Sequence, residues 1–476
     1  MNIAKSMFSP VLAGLALIST GCMIGPKYQR PETAAPRQWP AVTVRGVSPG
    51  EPVVEEWWKS FHDPVLESLV DRALKSNLDL QLAIAHIDEA RANRGVAQSA
   101  LAPQVSGNAS IVRDRQVLFG LPFGPLTYES NQYQGLFDMS WEADVFGRLR
   151  SEVRAATADL AAQQNDARNV WIILLGDVAS NYAQLRGYQL RLIIAARNIG
   201  IQQDTFELTR ALAAAGQATE RDVAQAEAQL ESRRATVPQL ETGRDTAIHR
   251  LSVLLGSEPG ALITELSQIA PLPVAPPAVP VGLPSELLER RPDIRTSEAQ
   301  LAAATARVGE AKADFFPKFS LTGNAGREST QLHLLALGLG NVFSFGPSIS
   351  VPVFTAGRIR ANVAVQQARV KEAAATYRST VLIAMEETEN ALVSYSNEQE
   401  RRDRLQRVTQ ADRKALDLAQ VQYKAGLADF LTVLDAERTL SQNEDDLAQS
   451  QTTVTISLIS LYKALGGGWS QAPVTR

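Results

Sequence analysis

The stretch QYQGLFDMSWEADVFGRLR, residues 132–150, joins two kinds of structure and decides the fold. Apolar and polar side chains alternate from Gln132 to Glu142, and this period of two predicts a strand with one apolar and one polar face. From Arg148 to about Ala214 the chain has no proline and is rich in alanine, glutamine, glutamate and arginine. This composition predicts one helix of roughly 100 Å, at about 1.5 Å per residue. A strand is therefore expected to lead directly into a long helix.

The same join recurs in the second half of the chain. Residues 343–360, FSFGPSISVPVFTAGRIR, alternate in the same way and lead into a second proline-free run from Arg358 to Ala425. A shift of 210 residues aligns the two runs, and it also aligns Gly216 with Gly426. The helix before each pair of strands repeats with a shift of 214, as residues 77–103 and 291–317. The mature chain is therefore predicted to contain two copies of one unit.

The proline-rich segment between the two copies marks a boundary. Its prolines predict a linker without regular structure, because proline lacks a backbone donor. The predicted organisation is a signal peptide (1–21), a lipidated N-terminal segment (22–63), a first structural repeat (64–256), the linker (257–283), a second structural repeat (284–468) and a C-terminal tail (469–476).

The alternating stretches suit a sheet in an outer membrane. Each copy contains two of them, about ten residues long, and an export signal precedes both copies. A soluble sheet with one core face is the alternative. Four strands cannot close, and an open sheet edge is not tolerated in lipid, so the chain is expected to oligomerise. Three chains would supply about twelve strands, with the polar faces lining a water-filled lumen.

The long helices are expected to fold back on themselves. The alanine-rich segments 153–162 and 363–375 suit close, coiled-coil-like packing against return helices at 221–255 and 431–465. Gly216 and Gly426 then lie at the tips of the two helical hairpins. A helical bundle without a bore is the alternative.

The N-terminal residues predict export and lipid attachment. Lys5 precedes the apolar run 11–18, and the small residues 19–21 stand directly before Cys22, the only cysteine of the chain. This arrangement resembles a bacterial lipobox, which implies that Cys22 carries diacylglycerol. Met23 is not the aspartate that retains lipoproteins at the inner membrane, so the outer membrane is expected. The alternative is an ordinary secreted protein with a free cysteine.

Several function classes find no support in the composition. The net charge of -4 gives no excess of positive charge for a nucleic-acid partner. The sequence contains no phosphate-binding loop, no dinucleotide fingerprint and no nucleophile elbow, and its four histidines lack metal-ligand spacing. We therefore predict that the protein is not an enzyme and has no metal and no cofactor besides the lipid on Cys22.

Several motifs together resemble the TolC-like outer-membrane factors, and specifically the lipoprotein branch typified by OprM and the NodT group, which serves resistance-nodulation-division efflux pumps. The motifs are GPKYQRPE at 25–32, WWKSFHDPVLESL at 57–69, WEADVFGR at 141–148, and YKAG with LTVLDAER at 423–438. The resemblance implies an α+β membrane protein: a trimeric twelve-stranded β-barrel, a long periplasmic α-helical barrel and an equatorial region. It also implies two partners, a periplasmic adaptor protein and an inner-membrane transporter.

The resemblance places a periplasmic gate at the second tip. Asp435 would form a charged ring in the trimer, Leu431 an apolar constriction, and Arg438 would pair with a carboxylate across helices to hold the closed state. The alternative is that Asp435 and Arg438 belong to a solvated helix face. Gly216 and Gly426 would lie where the adaptor makes contact. Two other functions stay open from sequence: an exit duct for type I protein secretion, and a periplasmic helical adaptor without a pore.

Overall fold

A computed structural model describes residues 23–31, 36, 39, 46–49, 54–118, 122, 124–276, 278–337 and 340–469. Cys22, the predicted signal peptide and residues 470–476 lie outside these described residues. The chain divides into two compact units, and both repeats contribute to each. We call residues 1–32, 86–163 and 296–377 the sheet unit, and residues 33–85, 164–295 and 378–476 the helical unit.

The strands and helices follow one another in nearly the same order in each repeat. The strands are β1 (Val47–Pro49), β2 (Gln104–Leu118), β3 (Leu126–Ala143), β4 (Val279–Gly282), β5 (Lys318–Ser329) and β6 (Asn341–Ser350). The α-helices are α1 (Pro64–Ser76), α2 (Leu78–Ser99), α3 (Arg148–Ala214), α4 (Glu220–Arg234), α5 (Val237–Leu254), α6 (Ile263–Leu266), α7 (Pro284–Arg290), α8 (Pro292–Ala313), α9 (Leu332–Ala336), α10 (Arg358–Lys424) and α11 (Phe430–Ala464).

The sheet unit contains an antiparallel sheet in the order β2-β3-β5-β6. Its register pairs Phe137 with Ala325, and Ala325 in turn with Phe343. Directly opposed residues share a face, so the apolar positions of all four strands lie together and the polar positions lie on the other face. Phe137 and Phe343 are largely exposed, so the described part of the chain leaves the apolar face uncovered at these positions. The two-faced sheet predicted from sequence is confirmed.

Two of the strands are longer than predicted. β6 has 10 residues and β5 has 12, but β2 has 15 and β3 has 18. The β2–β3 hairpin continues past its apolar band with charged residues, and Arg113 Nη2 lies 2.7 Å from Glu129 Oε2 across the strands. The apolar alternation marks the band alone, so it missed the extension.

The long helices are confirmed. Both α3 and α10 contain 67 residues, and their bounds differ by the 210 residues of the repeat. The second return helix, α11, is also continuous over 35 residues. Among the described residues, no helix combines the length and the apolar character that crossing a membrane would require.

The first return helix was predicted as one element, and this was wrong. The chain forms α4 and α5 with a break at Ala235 and Thr236. Pro238 lies at the start of α5. A proline inside a continuous helix would lose a hydrogen bond and clash with the carbonyl four residues earlier, so the helix ends and restarts.

The linker was predicted to lack regular structure, and this was also wrong. It contains the short helix α6 and strand β4, which pairs in parallel with β1. The Val279 N–H donates to the Gly46 carbonyl at 3.0 Å, and Pro280 lies opposite Ser48. A two-stranded sheet has only edge strands, where a proline without a donor is tolerated.

The helical unit has an aromatic core where the N-terminal segment meets the end of α11. Trp57 is buried and stacks on Tyr462, with ring centroids 5.2 Å apart. Asp63 caps α1 by accepting from the Val65 and Leu66 amides, and its other oxygen accepts from the Tyr182 hydroxyl at 2.8 Å. These contacts fix the N-terminal segment onto α3 and α11.

Candidate gate at the helical hairpin tips

The two helical hairpins turn with the same backbone geometry. Gly216 and Gly426 have φ angles of 71° and 69°, a left-handed conformation that favours glycine. Their amides donate to the Ala213 and Tyr423 carbonyls at 2.9 Å. The amide of the residue after each glycine donates to the carbonyl five residues earlier in the chain. This is the glycine-terminated helix end known as the Schellman motif. Space around both glycines is open, so both tips are accessible within one chain.

The helix after each tip begins with a threonine and aspartate pair, in opposite order. In the first hairpin, Thr219 caps α4, and the Asp222 carboxylate accepts hydrogen bonds from the Thr219 amide and hydroxyl. In the second, Asp429 caps α11 and accepts from the Thr432 amide and hydroxyl. Hydrogen bonds from the threonine side chains lower the pKa of both aspartates. Each return helix therefore starts at a fixed residue.

The three predicted gate residues lie on one face of α11. Leu431, Asp435 and Arg438 are spaced by four and three residues, which places them one above the other. Leu431 is 56% exposed, and the side chains of Asp435 and Arg438 are each 65% exposed. The opposite face is buried, with Phe430 and Leu434 packed against Ala226 of α4. The structure thus brings the predicted residues together on a surface that no described part of the chain covers.

Within one chain, Arg438 pairs inside its own helix. Its Nη2 donates to Asp435 Oδ1 at 2.7 Å, within the same helix. The two residues are three apart on a solvated face, so they can pair without help from another helix. Such exposed pairs contribute about 0.2–1 kcal/mol, which makes this bond easy to exchange. Pairing with a carboxylate of a neighbouring chain stays a prediction.

The first hairpin lacks this set. At the 210-residue shift, Leu431, Asp435 and Arg438 correspond to Arg221, Gln225 and Ala228. The glycine turn is repeated at both tips, but the combination of an apolar, an acidic and a basic side chain at these three positions occurs at the second alone. The glycine turn is the same at both tips, so the set of side chains is a feature of the second tip and not of the shared backbone.

A buried carboxylate beside the candidate gate was missed by sequence reasoning. Glu437 is 3% exposed and accepts from Gln202 Nε2 at 2.9 Å and Thr205 Oγ1 at 3.2 Å, both on α3. Burial raises the pKa of this carboxyl, although hydrogen bonds from Thr205, Gln202 and Gln420 oppose the rise. The spacing of Glu437 from Phe430, Val433 and Leu434 follows the buried stripe of α11, and that signal could have revealed its burial.

Further polar contacts join α3 and α11 along the same stripe. Asn198 Nδ2 donates to Ser441 Oγ at 2.9 Å, and Arg191 forms a two-pronged ion pair with Asp445 at 2.7 and 2.9 Å. Glu444 is buried and pairs with Arg197 of α3 and Arg413 of α10. Beyond the candidate gate, α3 and α11 are thus held together by directional polar bonds as well as by apolar packing.

The polar face of the sheet offers hydrogen-bonding groups. Asn108 Nδ2 donates to Asp138 Oδ2 at 2.6 Å, and Ser110 Oγ donates to Gln134 Oε1 at 3.3 Å. Within the described part of the chain, no group of histidine, cysteine and acidic side chains could hold a metal ion. Cys22, the predicted lipid site, lies outside the described residues, and Met23 next to it packs against Gly147.

The sheet with one apolar and one polar face, the paired 67-residue helices and the tip residues define the class of an outer-membrane efflux channel. Comparison with known proteins leads to the same class. The family model described as outer membrane efflux protein matches residues 69–257 and 283–467, and the chain belongs to this family.

Individual relatives match over nearly the whole chain. It is 32% identical over 457 residues to Nodulation protein T of Rhizobium leguminosarum bv. trifolii, which covers 96% of each chain. It is 34% identical over 462 residues to the solvent efflux pump outer membrane protein SrpC of Pseudomonas putida, covering 95% of this chain and 97% of that one. The solved structure of the outer-membrane channel OprN has a TM-score of 0.89 at 37% identity, covering 94% of this chain and 100% of that one.

These matches confirm four predictions made from sequence: the family and its NodT branch, the fold class with two repeated halves, the outer-membrane location and efflux function, and the absence of catalysis, since the family consists of channels.

The raised pKa of Glu437 generates a prediction about pH. The folded chain binds this proton more tightly than the unfolded chain, so Glu437 makes stability fall as pH rises above its ordinary pKa of 4.5. Glu437→Gln removes that charge, and its amide can donate to Gln202 Oε1, a buried atom without a partner among the described residues. We expect an unchanged or higher melting temperature at neutral pH and a weaker pH dependence. The measurement is thermal unfolding at several pH values.

Asp435→Asn is the matched control, because it removes an exposed carboxylate two residues away and should leave the pH dependence unchanged. A lower melting temperature of Glu437→Gln at neutral pH would show that the ionised carboxylate stabilises the helices.

Proposed function

We propose that three copies of this chain form the gated exit duct of a tripartite pump, together with a periplasmic adaptor protein and an inner-membrane resistance-nodulation-division transporter. The main observation in favour of a gate is that Leu431, Asp435 and Arg438 share one exposed face of α11. The family membership supports the duct, and the resemblance to the lipoprotein branch supports the choice of partners.

The gate works through charge and apolar closure. Three copies of Asp435 around one axis repel one another unless cations or arginines neutralise them. Arg438 already pairs with Asp435 within its helix, so the same guanidinium can turn to a neighbouring chain at little cost. Leu431 lies one turn nearer the tip, where three copies would form an apolar constriction. Exchange of the Arg438 partner is the switch between closed and open states.

Single-channel conductance in a planar bilayer tests this gate. Asp435→Ala and Arg438→Ala should each raise the conductance, because they remove the charges that hold the closed state. The exposed pair contributes little to folding, so both variants should keep the melting temperature of the wild type. Gln225→Ala is the matched control, since Gln225 occupies the corresponding position of the first hairpin and should leave the conductance unchanged.

Equal conductance in the wild type and all three variants would show that these residues of α11 do not form the gate. An increase in Gln225→Ala as large as that in Asp435→Ala would show that any change at the tips opens the channel, without a special role for the charges.

The adaptor is proposed to contact the hairpin tips. Open space surrounds Gly216 and Gly426, and Leu427 next to the second glycine is 80% exposed. An exposed apolar side chain at a tip suits a protein partner. Leu427→Glu should reduce cross-linking to the adaptor, whereas Gln217→Glu, at the same place in the first hairpin, should reduce it less. Equal cross-linking in the wild type and Leu427→Glu would argue against this contact.

The lipid on Cys22 is proposed on the signal sequence and on the resemblance to the lipoprotein branch. The mass of the mature protein measures it directly. The wild type should carry the mass of a lipid anchor on its N-terminal residue, and Cys22→Ser should lack it. A mature wild-type protein with an unmodified cysteine would contradict the proposal.

A further inference from the structure

The sheet unit contains a cavity of about 360 Å³ that the channel function does not use. Its walls come from residues 23–28 and from helices α3 and α8. Much of the lining is apolar, including Met23, Ile24 and Ala302. A cavity with this lining suits the apolar part of an amphiphilic molecule.

The segment that closes the cavity is fixed in place. The Ile24 amide donates to the Phe146 carbonyl at 3.2 Å, and the Tyr28 hydroxyl donates to Glu298 Oε1 at 3.1 Å. Gly25 lies so close to α8 that a Cβ on it would come within 2.6 Å of the Gly309 Cα. The cavity is therefore preformed by a clamped backbone, which reduces the ordering cost of binding.

The charges on the wall have one sign. Lys27 and Arg154 are the charged residues among those that line the cavity, and both are exposed. Within the described part of the chain neither forms an ion pair or a side-chain hydrogen bond, whereas neighbouring Arg30 pairs with Glu298 at 3.4 Å. Two unneutralised cations beside an apolar wall favour an anionic amphiphile.

Aromatic residues beside the cavity indicate its height relative to the membrane. Phe146 packs against Phe316 and Phe319, with centroids 4.8 and 6.3 Å apart, and Trp141 lies near the same end of β3. Aromatic girdles of this kind mark the membrane–water interface of outer-membrane sheets. Arg154 is six residues into α3, about 9 Å along the helix. Each headgroup layer is roughly 5–8 Å thick, so Arg154 can reach a phosphate in it.

We infer that this cavity binds the headgroup of an anionic glycerophospholipid from the periplasmic leaflet of the outer membrane. Lys27 and Arg154 hold the phosphate, and the apolar wall holds the glycerol and the first carbons of the acyl chains. The lipid proposed on Cys22 does not fit this role, because diacylglycerol carries no charge for the two cations to neutralise. The bound phospholipid fixes the height of the chain in the membrane.

The test uses the full-length mature protein in a non-ionic detergent, titrated with phosphatidylglycerol or phosphatidylcholine and followed by native mass spectrometry. The wild type should prefer phosphatidylglycerol. Lys27→Gln and Arg154→Gln should each weaken its binding about fivefold, and the double variant correspondingly more, with binding of phosphatidylcholine unchanged. Arg369→Gln is the matched control, because it removes an exposed cation of the same unit away from the cavity.

Equal binding of the two lipids by the wild type, or equal binding of phosphatidylglycerol by the wild type and the double variant, would overturn the site. Glycerol phosphate that binds as tightly as phosphatidylglycerol would also overturn it, because the apolar wall would then contribute nothing. Conductance serves as an independent readout, since neither cation belongs to the gate and the variants should conduct as the wild type does.

Discussion

An open sheet edge cannot remain unpaired in lipid, and this constraint governs the rest of the molecule. The sheet of one chain has the order β2-β3-β5-β6, so β2 and β6 each present one edge of backbone donors and acceptors that no other described strand pairs with. Pairing of β6 with β2 of a neighbouring copy satisfies both edges in a closed ring. The apolar face then meets lipid, and the polar face meets water. The need to pair the backbone groups on these two strand edges therefore accounts for a channel, independently of any gate.

The internal repeat explains how one chain can provide both the channel wall and a separate candidate gate. Helices α3 and α10, and the return helices that follow them, have bounds related by the same shift of 210 residues. The backbone scaffold is thus doubled, including the glycine at each tip. Side chains could then diverge at single positions without loss of the fold. Asp435 in place of Gln225 is such a divergence, and it distinguishes the candidate gate on α11 from the corresponding surface of α4.

Local patterns predicted much of the fold, and contacts distant in sequence account for most of the rest. The faces of the strands and the bounds of α3 and α10 followed from periodicity and from the absence of proline, which are properties of neighbouring residues. Strand β4 could not be found in this way, because its partner β1 lies more than 200 residues earlier in the chain. The break at Pro238 was visible in the sequence and was overlooked. The extension of the β2–β3 hairpin carries a cross-strand charge pair in place of apolar alternation, so the apolar pattern did not reveal it.

The candidate site shows the same difference between local patterns, which were predicted, and contacts distant in sequence, which were not. Spacing on α11 placed Leu431, Asp435 and Arg438 on one face, as the structure shows. The partner of Arg438 was not predictable, because a guanidinium on a solvated face can reach several carboxylates with similar energy. The polar contacts between α3 and α11 pair residues more than 230 positions apart. Sequence periodicity indicates that Glu437 is buried, but only the fold shows which side chains donate hydrogen bonds to it.

The most direct test of the channel is chemical access to the two faces of the sheet. Thr322 belongs to the polar face and Phe345 to the apolar face, on neighbouring strands. In open single channels, a charged, membrane-impermeant thiol reagent should reduce the conductance of Thr322→Cys and leave that of Phe345→Cys unchanged, with the wild type as the baseline. An equal effect on both variants, or a reduction in Phe345→Cys alone, would contradict a pore lined by the polar face.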